Sequence, residues 1–302
     1  MTSLLRLQGL IFCYTAVACA VFTPLLRQLD ANLELAGMAA LVLALGVPHG
    51  ALDTVFAKHL YKVTGFREWL LFGAIYSIPT AAVVGLWFEA PLGFLVGFLS
   101  VSALHFSADP NPGTPRIARI FYGGAIIVLP SLFHAQEASR RFALLIGAAS
   151  AETVTVSLHA AAWPWLVSTL IAASYRLMTD RLSAAEIAAT ALLATIAPPL
   201  IAFTVFFCLM HSARHVLRTV GYFADVSPRL ILSAGAASML GTLGLAAVAW
   251  FWLGHGAPDE RLMRLVFVGL AALTIPHMGV VERVRLTGWK REGLLNDRAE
   301  LV

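Results

Sequence analysis

The sequence predicts an all-α fold, a polytopic transmembrane bundle of roughly eight to ten helices. Three observations carry this. Hydrophobic residues make up 59% of the chain and charged residues 13%, against about 25% charged in a soluble domain. The apolar runs are long and continuous, unlike the ~10-residue alternating segments of a membrane barrel. A bilayer offers no water to a backbone, so such runs must satisfy their peptide groups internally, as helices do. Residues 1–302 read as a single integral-membrane domain, without linker, repeat array or low-complexity tract.

Taken in order, the runs predict helices at 8–26, 33–56, 68–88, 92–108, 117–133, 156–178, 185–197, 200–222, 229–253 and 262–282. The first run follows Arg6 and contains Ala18-Cys19-Ala20, which resembles a signal-cleavage site. The many runs behind it favour an uncleaved first helix. Asp109-Pro110-Asn111-Pro112-Gly113 reads as a loop, as does the stretch around Gly254-His255-Gly256. Pro198-Pro199 divides what would otherwise be one very long helix. The stretch 135–155 reads as a surface helix or a re-entrant piece.

The net charge of +4 comes from basic pairs expected in loops: Lys58 and Lys62, Arg116 and Arg119, Arg140 and Arg141, Arg283 and Arg285. They form no basic stripe, which excludes a nucleic-acid partner. Lys and Arg divide almost equally between the two faces, so they assign no orientation. Cys13, Cys19 and Cys208 lie in apolar runs, form no C-x-x-C pair, and read as small packing residues.

Chemistry concentrates in the histidines. His59, His134, His159 and His255 fall at expected helix ends or loops. His49, His105, His211, His215 and His277 fall within or near the ends of spans. An ionisable group at bilayer depth is costly unless it finds partners, and several that converge can share that cost. His211 and His215 stand four residues apart, so they project from one helix face. His49 and His105 are each followed one turn on by an aspartate, Asp53 and Asp109. A metal-bound imidazole usually donates its other N–H to such a group. Neutral imidazoles in this number suit Fe, Zn, Cu or Ni, and spacing does not choose among them. Gly46, Pro48 and Gly50 loosen the helix around His49 and permit close approach.

The runs Gly46-Val47-Pro48-His49-Gly50-Ala51-Leu52-Asp53, His105-Phe106-Ser107-Ala108-Asp109, His211-Ser212-Ala213-Arg214-His215 and Ile275-Pro276-His277-Met278 resemble the Brp/Blh family of membrane β-carotene dioxygenases. The likeness extends over most of the chain in order and spacing. It implies oxidative cleavage by O₂ of the central double bond of β-carotene, giving two all-trans retinal. It also implies an Fe(II) cofactor on four histidines, which correspond here to His49, His105, His211 and His215. No catalytic side chain beyond these ligands is implied. His277 stands outside that set, as a possible fifth ligand, a water or proton partner, or a packing residue. Asp53 and Asp109 are expected behind the ligands. The expected setting is the cell membrane, with a retinal-binding rhodopsin as acceptor of the product.

A hydrocarbon substrate requires an apolar site open sideways to lipid. Phe106, Phe203, Phe206, Phe207, Trp250 and Trp252 are available to line it. The alternative reading is a membrane carrier of metal or haem with no carotenoid-cleaving chemistry. A di-iron desaturase fits poorly, since the chain has one H-x-x-x-H and no H-x-x-H-H.

Overall fold

The computed structural model describes residues 2–254, 256–286 and 289, and these are helices joined by short turns. In chain order the α-helices are α1 (Thr2–Val21), α2 (Thr23–Leu26), α3 (Ala31–Leu41), α4 (Val47–Ala51), α5 (Asp53–His59), α6 (Phe66–Glu89), α7 (Pro91–Phe106), α8 (Arg116–Val128), α9 (Pro130–Ile146), α10 (Ala148–Leu177), α11 (Arg181–Ile196), α12 (Pro199–Val205), α13 (Ala213–Tyr222), α14 (Pro228–Trp252) and α15 (Pro258–Leu286). Two π-helical segments, Val42–Gly46 and Phe206–Ser212, join α3 to α4 and α12 to α13.

Among the described residues, seven helical stretches are long and apolar enough to cross a membrane, or up to eight if the pair α8 and α9, bent by 45°, forms one span. Eight is the lower edge of the expected number, and seven is one short of it. The reason is that α7 and α11 have only 16 residues each, short of the ~20 that a bilayer requires. The protein is therefore multi-pass. Its outer helices turn Leu70, Leu71, Ile75 and Ile78 of α6 and Leu232, Leu240 and Leu245 of α14 outward, the apolar surface that lipid covers.

Local chemistry sets the boundaries. Five helices (α7, α9, α12, α14 and α15) begin on a proline, whose missing N–H falls where no helical partner exists. Asp30 caps α3 by accepting from the N–H groups of Asn32 and Leu33, and Asp180 caps α11 by accepting from Leu182 and Ser183. Gly147, at φ +83°, separates α9 from α10. The stretch 135–155 is divided at this glycine. Its first part completes α9, and its second part opens the 30-residue α10.

Some basic pairs also move. Arg116 and Arg119 belong to α8, Arg140 and Arg141 lie inside α9, and α15 runs through Arg283 and Arg285. Arg141 does not flank a span; it pairs with Glu34 of α3 at 2.5 Å. His134 is buried in α9 and His159 lies within α10, where its Nδ1 meets the Ser131 carbonyl. His255 lies outside the described residues.

Helix α8 packs on α7 at Gly123. A Cβ there would overlap the Ala103 carbonyl and the Ser107 backbone. Alanine in a free helix position gains about 1 kcal/mol over glycine. Here the sign should reverse: Gly123→Ala is expected to lower the thermal midpoint in detergent, because the helix carrying His105 must shift.

Candidate metal centre

Each site residue is delivered by a break in regular helix. His49 follows the π segment Val42–Gly46 and sits next to Pro48, so the helix here has spare acceptors. The Gly46 carbonyl accepts from His49 Nδ1 at 2.5 Å, and the Ser212 hydroxyl stands 3.0 Å from the same nitrogen. Gly46 has no side chain for a reason: a Cβ would meet the Phe207 ring at 2.5 Å. His211 lies in the second π segment and His215 one turn on, in α13. His105 closes α7, and His277 follows Pro276 in α15.

These five imidazoles form one buried cluster. Ring centroids are 4.6 Å apart for His105 and His211, 5.0 Å for His49 and His277, 5.1 Å for His49 and His211, and 5.1 Å for His215 and His277. Ligand nitrogens of His49, His105 and His277 all lie within 4.8 Å of one another. The residue that stood outside the expected four is thus in the tightest trio.

The tautomers are fixed from behind. Both oxygens of Asp109 lie 3.1 Å from His211 Nδ1. The Asp53 oxygens lie 2.8 and 3.0 Å from His277 Nδ1. A carboxylate accepts only, so each Nδ1 carries the proton and each Nε2 keeps its lone pair. Tyr76 donates to Asp53 at 2.9 Å, which fixes that carboxylate in turn. Each aspartate meets a histidine of another helix, Asp109 that of the second π segment and Asp53 that of α15.

Buried Nε2 atoms of His105, His211, His215 and His277 have no hydrogen-bond partner, and neither does His105 Nδ1. Each such group costs about 1–3 kcal/mol when left unsatisfied. Several neighbouring buried ring nitrogens left without a partner fit a cation. All-imidazole donors of this kind are those of a transition-metal site.

Sequence reasoning did not identify the pair behind this cluster. Arg214, 1% exposed, makes a two-pronged ion pair with Glu186 of α11 at 2.5 and 2.9 Å. It also donates to Gln8 and to the Asp109 carbonyl, while Arg218 donates to that carbonyl at 2.8 Å. The signal was present: Glu186 and Arg214 are isolated charges in apolar surroundings.

A cavity of about 480 Å³ has His49, His105 and His277 in its wall. Ser77 and Ala81 of α6 and Gly241 and Leu245 of α14 line it and are also exposed on the outer surface. The cavity therefore opens sideways, between two lipid-facing helices. Phe106, Phe203 and Phe207 line it. Phe206 is buried elsewhere, against Phe12 and Tyr122; Trp250 lies under the Arg261 guanidinium, and Trp252 is exposed.

Fold and centre together define a multi-pass membrane protein with a buried polyhistidine site beside a lateral apolar cavity. Residues 40–284 match the family model described as beta-carotene 15,15'-dioxygenase, and the chain belongs to that family. It is 28% identical over 264 residues to a beta-carotene 15,15'-dioxygenase of an uncultured marine bacterium, covering 80% of this chain and 91% of the relative. It is 26% identical over 296 residues to a probable beta-carotene 15,15'-dioxygenase of Halobacterium salinarum, covering 84% and 85%. No solved structure gives a significant match.

If the aspartates orient ligands, Asp109→Asn and Asp53→Asn should each weaken metal binding about 10–100-fold. Metal titration of the purified variants in detergent checks this. Wild-type affinity in both would remove that role.

Proposed function

We propose that this chain cleaves the central 15,15' double bond of β-carotene with O₂, giving two all-trans retinal, at an Fe(II) centre in the cell membrane. The observation that carries the reading is the buried histidine cluster with unpartnered Nε2 atoms on His105, His211, His215 and His277, of which His105 and His277 lie, with His49, in the wall of a laterally open apolar cavity. His49, His105, His211 and His215 would hold the iron, with His277 as a fifth ligand. Iron(II), when bound, supplies the O₂ chemistry that no side chain here possesses.

The chain's own residues do the rest. Asp109 and Asp53 keep protons on the Nδ1 atoms of His211 and His277, so the Nε2 lone pairs stay available. Phe207 stacks on His211, and with Phe106 and Phe203 it gives the polyene an apolar wall. That wall holds the reacting bond near the imidazoles and keeps water away. The reaction breaks one C=C bond, and each of its carbons takes one oxygen atom of O₂. A retinal-binding rhodopsin as product acceptor belongs to this proposal.

The test is expression in cells that accumulate β-carotene, with extracted pigments resolved by chromatography. Loss of β-carotene with appearance of retinal is the expected result. Intact β-carotene beside iron-loaded protein in the membrane would overturn it and favour a carrier.

A further inference from the structure

Beyond the lateral cavity lies a second one, of about 100 Å³. Its wall includes Leu95, Leu99, Ile126, Ala138, Phe142 and Leu200, and every residue lining it is buried or half-buried. The first cavity, by contrast, has the exposed Ser77, Ala81, Gly241 and Leu245 in its wall. Phe98, Ser102, Phe106 and Phe203 line both, so the two meet at this aromatic partition. No histidine lines the chamber.

A row of rings connects the metal centre to it. Phe207 stacks on His211 with centroids 5.6 Å apart, Phe203 stacks on Phe207 at 5.3 Å, and Phe267 follows at 5.2 Å from Phe203. Phe203 and Phe267 are chamber walls. Arg141 lines the chamber too, with its charge taken up by Glu34.

We infer that this second cavity is the socket for one ring end of the carotenoid, and that its depth sets which double bond lies against the histidines. The inference rests on the dioxygenase reading above. A rod that enters sideways and is cut at its centre must extend as far beyond the histidines as before them. The chamber is the apolar space past the partition, and the aromatic row offers the polyene a continuous face toward it. A socket with a fixed end works as a stop: the ring seats, and the bond at a set distance is presented. If the stop moves toward the histidines, a bond off the centre is presented instead. The same cleavage then yields two unequal carbonyl products, a ketone and an aldehyde where one carbon of the bond bears a methyl, whose carbons together equal those of the substrate.

The test uses iron-loaded Ala138→Phe and, from a different helix, Leu99→Phe. Each fills part of the chamber without touching the histidines. Substrates are β-carotene and a one-ring carotenoid truncated at its other end. One added group in an apolar pocket alters selectivity by roughly 10–200-fold. Relative to wild type, kcat/KM for β-carotene should fall about tenfold or more against the truncated substrate, and carbonyl products of unequal length should appear beside retinal. Either variant folded, with wild-type iron content, retinal as sole product and an unchanged substrate ratio would overturn the socket. So would equal loss on both substrates. If Ala138→Phe fails to fold, Leu99→Phe decides. Wild-type protein that makes no retinal would instead remove the dioxygenase reading.

Discussion

His105→Ala and His277→Ala should each reduce retinal formation at least ~100-fold while leaving the protein in the membrane; even groups behind a metal ligand are worth 10–100-fold. The reasons differ. His105 has both ring nitrogens buried without a partner, as a ligand would. His277 has its Nδ1 proton anchored on Asp53 and its Nε2 free, the same arrangement that Asp109 gives His211. Iron content per chain and retinal yield measure both effects. His277→Ala with full iron and full activity would return His277 to a packing role and leave four imidazoles. The same outcome for His105→Ala would remove the centre as described.

Glu186→Ala should destabilise the fold by about 3–5 kcal/mol, the cost of leaving a buried charge unpaired. Arg214 would then sit between helices with only Gln8 and the Asp109 carbonyl as partners. Thermal unfolding in detergent measures the loss. The apolar double replacement, Glu186→Leu with Arg214→Met, separates stability from function. Swapping a buried pair for packed hydrophobes is often neutral for stability, so the fold should recover. Metal affinity should stay low, because Arg214 also holds the Asp109 backbone in place. Wild-type affinity in the double variant would limit the pair to a structural role.

The membrane class was legible in the sequence because it follows from run length and charge content, which need no tertiary information. The helix divisions at Pro198-Pro199 and at the Asp109–Gly113 loop were legible because proline and glycine act locally. Partner choice was not. Asp53 lies one turn from His49 yet bonds His277, 224 positions away, and Asp109 lies one turn from His105 yet bonds His211. Residues one turn apart can share a face, but the break at Leu52 between α4 and α5 and the end of α7 at Phe106 separate those faces. Hydrophobicity also cannot separate aromatic residues that line a cavity from those that face lipid. Phe203 and Phe207 do the first and Trp252 the second. The bend between α8 and α9 escaped for a related reason: Pro130 and Gly147 redistribute one apolar run among three helices.

The opening between α6 and α14 has a kinetic consequence. A molecule that reaches the histidines through Ser77, Ala81, Gly241 and Leu245 arrives from the hydrocarbon phase, so the water volume around the vesicle does not enter its encounter rate. Activity should scale with the mole fraction of β-carotene in the lipid. Adding phospholipid to vesicles at fixed total carotenoid and protein should slow the reaction below saturation, and adding buffer should leave it unchanged. The product re-enters the same two-dimensional phase, so the membrane itself becomes the first reservoir of retinal.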